Sequence, residues 1–207
     1  MLLPIHPLNP QPRAVEQAAE VLRRGGVIIY PTDTIYGLGC DIFNTAAIER
    51  ICRIKHIQPK AANFSFVCES LSALSNYARS VDTPIFRMIK AALPGPYTFI
   101  LEASKAVPRA LKVKKDTVGI RVPDHRITQE LLRQLGHPIM SLSLPMPDED
   151  VAQYTDPEEI HEHFGKLVDL VIDGGPGSSE PSTVIDCTTA PPSLIREGAG
   201  EWQSLLN

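Results

Sequence analysis

An amphipathic helix followed at once by an apolar strand constrains this chain more than any other feature. Ala14, Val15, Ala18, Val21 and Leu22 recur at helical spacing between Arg13 and Arg24, and Gly25 stands in the C′ position where helices commonly end. Gly25-Gly26-Val27-Ile28-Ile29-Tyr30 then runs into Pro31-Thr32-Asp33-Thr34-Ile35-Tyr36-Gly37-Leu38-Gly39. The β-branched run reads as a buried strand, and the hydroxyl-rich, glycine-containing turn after it lets backbone and side-chain oxygens approach a ligand closely.

Strand and helix signals alternate down the rest of the chain. Helices are expected at Ala46–Lys55, near Leu71–Tyr77, at Thr83–Ala92 and at Ile127–Leu135, and an acidic helix opens at Asp156-Pro157. Strands are expected at Ser65–Cys68, Tyr97–Leu101, Val118–Val122, Pro138–Leu144, Val168–Ile172, Thr183–Asp186 and Leu194–Arg196. No regular βαβ beat runs through them, so the expected fold is a single α/β domain built on an open, twisted sheet of mixed direction with flanking helices. Residues 12–200 are assigned to that domain, with 1–11 and 201–207 as terminal extensions.

At 207 residues and 43% hydrophobic content the chain can bury one substantial core. It has neither a long apolar run nor the pattern of a signal peptide, so a cytoplasmic protein without membrane contact is expected. Cys40, Cys52, Cys68 and Cys187 are widely spaced, which argues for free thiols. Charge is uneven: residues 1–126 hold 17 Lys and Arg against 10 Asp and Glu, while residues 127–207 hold 3 against 14. That split fits a basic surface facing phosphates, of a nucleotide or a nucleic acid, or a merely solvated dipolar surface.

Polar and cationic residues gather at five places: Thr32 to Tyr36; Arg53 and Lys55 with Lys60; Thr117 with Arg121; Ser141 with Ser143; and Ser182 with Arg196. Lys and Arg with interspersed hydroxyls suit an anionic ligand, held without a Walker or GxGxxG loop. Each group also has a plainer reading. Thr32 and Asp33 can satisfy turn amides, and Lys55 can complement a helix dipole. Arg121, set among Val and Ile, needs an anionic partner, whether a ligand or an internal carboxylate. His161-Glu162-His163 is read as a solvated helix face, since residues two apart on a helix do not converge.

The Pro31–Gly39 segment resembles the signature of the YrdC/YciO family, whose best known members are threonylcarbamoyl-AMP synthases. Pro94-Gly95-Pro96-Tyr97-Thr98, Val118-Gly119-Ile120-Arg121-Val122-Pro123, Pro181-Ser182-Thr183-Val184-Ile185-Asp186 and Ile195-Arg196-Glu197-Gly198 match further family motifs in order. The resemblance implies a YrdC-like fold with a concave basic surface, able to bind nucleotide and often described as binding double-stranded RNA. It implies a reaction of L-threonine, bicarbonate and ATP, with Mg2+ and no organic cofactor, as the first step toward a modified adenosine in tRNA. No protein nucleophile or protein metal site is needed, because positioning and electrostatics carry such a reaction.

Carried over by position, Thr34, Arg121, Ser143 and Ser182 would bind the amino acid, and Lys55, Lys60, Thr117 and Arg196 the nucleotide. Three departures place the chain nearer the YciO-like branch. Ile57 stands where synthases carry the Arg of a Lys-x-Arg pair, Cys68 where a His is usual, and Pro145 where an Asn is usual. Loss of these groups motivates the alternative of a noncatalytic double-stranded RNA-binding protein.

Overall fold

The computed structural model describes residues 1–59, 62–108, 111, 116–144 and 154–205. Lys60, Pro145 and the loop cations Arg109, Lys112, Lys114 and Lys115 fall outside them. The first half contains β1 (Leu2–Pro4), α1 (Pro12–Arg23), β2 (Ile28–Tyr30), β3 (Gly37–Asp41), α2 (Thr45–Ile54), β4 (Ser65–Val67), α3 (Leu74–Tyr77), α4 (Thr83–Ala92) and β5 (Tyr97–Glu102). The second contains β6 (Thr117–Arg121), α5 (Arg126–Leu135), β7 (Ile139–Ser143), α6 (Pro157–Phe164), β8 (Leu170–Asp173), β9 (Thr183–Asp186) and β10 (Ser193–Arg196).

The strands form one ten-stranded mixed sheet in the order β1-β8-β2-β3-β7-β4-β6-β5-β9-β10. Four pairs are parallel (β1 with β8, β8 with β2, β4 with β6, β5 with β9) and the other five antiparallel, which makes the sheet mixed. Two strands escaped the sequence reading. β1 is a three-residue edge strand whose partner β8 lies some 170 residues away in the chain. β3 carries Gly37 and Gly39, which read as turn residues but sit mid-sheet. A Cβ at Gly39 would stand 2.6 Å from Ile139 and 2.9 Å from the Tyr30 ring, so the aromatic side chain fills the space that the glycine leaves.

The helix-to-strand unit at the start of the chain forms as its pattern dictates. α1 buries Val15, Ala18, Ala19 and Leu22. It ends where Gly25 adopts φ 82° and where the Gly25 and Gly26 amides donate to Leu22 and Val21 carbonyls at 2.8 Å. A 12-residue helix is marginal in water by itself, so this apolar stripe supplies most of its stability. β2 then sends Ile28 and Tyr30 to one core cluster and Ile29 to the other, which is why its sequence shows no polar alternation.

Those two clusters lie on opposite faces of the sheet. The larger holds α2, α4 and α6 against Phe66, Phe99, Ile120 and Met140; the smaller holds α1 and α5 against β8, β2 and the nearby ends of β7 and β4. No residue of β6, β5 or β9 belongs to the smaller cluster, so no described helix covers that part of its face. Cross-strand register there aligns Gly39, Ser141, Ser65, Gly119 and Ile100 in one row. The glycines and serines of this row make a shallow floor, which the larger Ile100 ends.

α6 is started by Asp156, whose carboxylate accepts from the Glu158 amide at 2.8 Å and the Glu159 amide at 3.4 Å. Asp156→Ala is expected to cost about 1 kcal/mol and to lower the melting midpoint by roughly 2–4 °C, measurable by calorimetry. Among the described residues no helix is long and apolar enough to cross a membrane.

Candidate functional site

The uncovered face gathers most of the residues that the sequence singles out. β6 alternates, so Val118 and Ile120 enter the larger core while Thr117, Gly119 and Arg121 point the other way. Arg121 is thus an inhabitant of the open face rather than of the core that its neighbours join. Over it folds the Pro31–Ile35 segment, tied down where Thr128 Oγ1 donates to the Pro31 carbonyl and the Asp124 amide donates to Asp33 Oδ2 at 3.0 Å.

Thr32 Oγ1 organises this segment by donating to the Ile35 carbonyl at 2.7 Å and accepting from the Thr34 amide at 3.1 Å. Arg121 Nη2 then reaches three acceptors: Asp33 Oδ1 at 2.5 Å, Thr34 Oγ1 at 2.6 Å and Thr32 Oγ1 at 3.2 Å. Two protons serve three oxygens there, whereas Arg121 Nε is buried and has no partner among the described residues. The internal carboxylate that Arg121 could call on is Asp33; both side chains are about nine-tenths buried, at 11% and 10% exposure.

Arg196 approaches from β10. Val184 pairs with Thr98 on one side and Arg196 on the other, which brings Thr98, Ser182 and Arg196 to the open face. The Arg196 guanidinium donates to the Ser182 carbonyl at 3.1 and 2.8 Å and to Ser182 Oγ at 3.2 Å. Ser182 Oγ in turn shares a proton with Thr98 Oγ1 at 2.8 Å. Desolvation holds the Arg196 pKa below its ordinary value, and the charge of Arg121 lowers it further. The two guanidinium groups thus share one face of the sheet and lie within range of each other's charge.

Lys55, the C-cap of α2, sends its buried Nζ to the carbonyls of Ser143 and Leu144, each at 3.0 Å. It therefore braces the end of β7 besides standing at a helix terminus. Ser143 is exposed and lies opposite Gly37. Thr117 shares the open face with Arg121 but opens β6 where Arg121 closes it, about 13 Å apart at strand rise. Thr34 thus pairs with Arg121 and Ser182 with Arg196 on one face, the two pairs within range of each other's charge, while Lys55 with Ser143, and Thr117, stand apart from them.

Two of the three departures do not face this site. Cys68 is fully buried in the larger cluster, on the same side as Phe66, and desolvation pushes its thiol pKa up to about 12. Ile57 packs against that cluster. Position 57 adds no cation, and Cys68 is a neutral core thiol. Thr98 and His125 were not singled out as site residues by sequence, and Asp33 was read only as part of the Thr32–Tyr36 turn.

A mixed sheet that leaves the β6, β5 and β9 part of one face without a described helix, and presents two arginines there, defines the class: an open-faced α/β protein with a cationic patch on the uncovered strands. The chain belongs to the Sua5/YciO/YrdC family, whose model, described as telomere recombination, matches residues 20–198. It is 48% identical over 203 residues to the uncharacterized protein YciO of Escherichia coli, covering 98% of this chain and 97% of that one. The E. coli YciO crystal structure superposes with a TM-score of 0.91, covering 97% of each chain. A threonylcarbamoyl-AMP synthase of Nitrosococcus oceani is 33% identical over 184 residues, covering 89% of this chain and 92% of the synthase. P. abyssi Sua5 complexed with L-threonine superposes with a TM-score of 0.91 at 28% identity, covering 99% of this chain and 59% of that one.

Proposed function

We propose that the open face binds ATP and a small amino acid and joins them with bicarbonate to give a carbamoyl-adenylate and pyrophosphate, the reaction of threonylcarbamoyl-AMP synthases in tRNA modification. The observation that carries this reading is the pair Arg121 and Arg196. One guanidinium has a buried donor without an acceptor among the described residues, and the other, on the exposed end of β10 and partly desolvated, lies within range of the first one's charge. A buried, unmatched cationic donor is costly unless an anion completes it, and a carboxylate fits a guanidinium edge. The likeness to P. abyssi Sua5 complexed with L-threonine and to the N. oceani synthase supports an amino acid as that anion.

In this reading Arg121 Nε takes the substrate carboxylate while Thr34 and Ser182 orient the amino acid. Arg196 and Lys55 face the phosphates, with Ser143 and Thr117 at the periphery; Lys60, expected to bind the nucleotide, lies outside the described residues. Catalysis is positioning: the carbamate oxygen is held in line with the α-phosphorus, and fixed cations stabilise the charge that develops as pyrophosphate leaves. Among the described residues no three His, Cys, Asp or Glu side chains group as metal ligands. In this reading a magnesium ion would arrive on the nucleotide phosphates.

Calorimetric titration tests the binding half. Wild-type protein is expected to bind ATP, and Arg196→Met to bind it at least tenfold more weakly, since a charge-assisted contact is worth about 1.5–3 kcal/mol. Equal ATP affinity in the two proteins would contradict the assignment of Arg196.

A further inference from the structure

Tyr30 ends β2 with its side chain wholly buried, on the face of the sheet that carries the glycine and serine floor. Its ring lies across β3: a Cβ at Gly37 would stand 3.0 Å from it and one at Gly39 2.9 Å. The phenol thereby reaches β7, where its hydroxyl donates to Ser141 Oγ at 2.7 Å. Ser141 is itself buried, at 7% exposure. Having accepted that bond, the serine still has a proton to give. Among the described residues nothing takes it, and the Ser65 side chain opposite on β4 makes no bond to it. A buried donor held by a buried partner marks an acceptor that the chain does not supply.

Sheet register places this hydroxyl. Ser141 stands in the row of Gly39, Ser65 and Gly119; Arg121 lies two residues beyond Gly119 on β6, and Ser143 two residues beyond Ser141 on β7, toward opposite ends of the strands. Each of those steps is about 7 Å. Resting on the function proposed above, we infer that Ser141 donates to the one-carbon unit of the reaction, first bicarbonate and then carbamate, and that Tyr30 is the positioning residue that fixes the Ser141 hydroxyl for it. The carbamate is bonded to the amino-acid nitrogen on one side and comes to be bonded to the α-phosphate on the other. It therefore lies between the end that holds Arg121 and Thr34 and the end that holds Ser143 and Lys55, over the row in which Ser141 stands.

A hydroxyl that accepts from a phenol is the stronger donor for an anionic oxygen, since successive hydrogen bonds polarise one another. Burial pushes the Tyr30 pKa up to about 12 against the opposing effect of its bond to Ser141, so the phenol stays a donor throughout the neutral range. Ser141 keeps its proton: it holds an oxygen, and no bond to the serine forms or breaks.

Tyr30→Phe and Ser141→Ala test this, singly and together, in pyrophosphate release that depends on threonine, bicarbonate and ATP. Tyr30→Phe keeps the ring over Gly37 and Gly39 and removes one hydroxyl. Each single variant is expected to lower kcat/KM for bicarbonate roughly 10-fold or more. The threonine and ATP Kd values, by calorimetry, should stay within about twofold of wild type, a split that a merely structural role of the two hydroxyls would not give. Because Tyr30 acts through Ser141, the double variant should be no slower than Ser141→Ala alone. Losses that multiply in the double variant, or a Tyr30→Phe protein as active as wild type, overturn the role of Tyr30. Unchanged kcat/KM for bicarbonate in Ser141→Ala, or threonine or ATP binding weakened as much as bicarbonate use, overturns the role of Ser141. In each of these cases wild-type activity leaves the proposed function standing, whereas a wild type that releases no pyrophosphate removes that function and this role with it. Ser141→Ala strands the buried Tyr30 hydroxyl; should it fold poorly, the double variant, which removes both hydroxyls, takes its place, and bicarbonate use at the wild-type level there overturns the inference.

Discussion

Arg121→Met is expected to destabilise the protein by about 3–5 kcal/mol and to abolish amino-acid binding. Asp33 would be left nine-tenths buried with only the Asp124 amide to compensate its charge, and Thr34 Oγ1 would lose its donor. Breaking a buried pair from one side carries that magnitude because the partner's desolvation is no longer offset. The melting midpoint should fall by roughly 10 °C in calorimetry. Loss of stability and loss of function can be separated with the double variant Arg121→Met, Asp33→Leu. Replacing both charges by apolar groups is commonly neutral or better, so the double variant is expected to recover most of the stability while binding no threonine. A double variant that binds threonine as wild type does would remove Arg121 from the site.

Gly198→Ala has the second largest expected effect, and it acts on the opposite wall. A Cβ there would lie 2.2 Å from the Pro181 carbonyl oxygen and within 2.9 Å of the Ser182 carbonyl group. These are backbone atoms, so the strand carrying Ser182 or the chain after Arg196 must move. The Gly198 amide also donates to Thr183 Oγ1 at 3.0 Å, and Thr183 itself ties back to the Gly200 carbonyl, which leaves little freedom for the shift. Overpacking of this kind costs about 1–3 kcal/mol. The larger consequence is functional: a displacement of Ser182 and Arg196 by about 1 Å can lower a positioning-dependent rate roughly 100-fold. Pyrophosphate release measured well below the melting midpoint checks it; a rate unchanged from wild type would mean that this wall does not position the nucleotide.

Features set by neighbours in sequence were legible, and features set by neighbours in space were not. The periodic stripe of α1, its Gly25 stop, Asp156 before Pro157 and the Thr183–Asp186 run each state their structure locally, and each forms within a residue or two of its expected bounds. The mixed, open sheet followed from the lack of a regular beat. β1 was invisible because three residues carry no period and its partner is β8. β3 was hidden by Gly37 and Gly39, whose reason for being small is Tyr30 on one strand and Ile139 on another.

The candidate site divides in the same way. Residue type marked Arg121 as unusual, since a charge within an apolar strand demands a partner, whereas Arg196 was marked by its grouping with Ser182 and by the family motif. That the partner is Asp33 depends on the Pro31–Ile35 segment folding over the part of the face that no described helix covers. No local signal reports that fold-back. Doubt raised by Ile57 and Cys68 likewise looked like damage to the site until their side chains were found against the larger core.

The central claim is that the two arginines and their hydroxyls form a working carbamoyl-adenylate site in this YciO-like chain. Mass spectrometry of a reaction containing the full chain, ATP, magnesium, bicarbonate and L-threonine tests it most directly. The account predicts threonylcarbamoyl-AMP and an equal amount of pyrophosphate, both lost when threonine is omitted and both abolished in the Arg121→Met, Asp33→Leu variant. Folded wild-type protein that yields neither product above a protein-free control would contradict it.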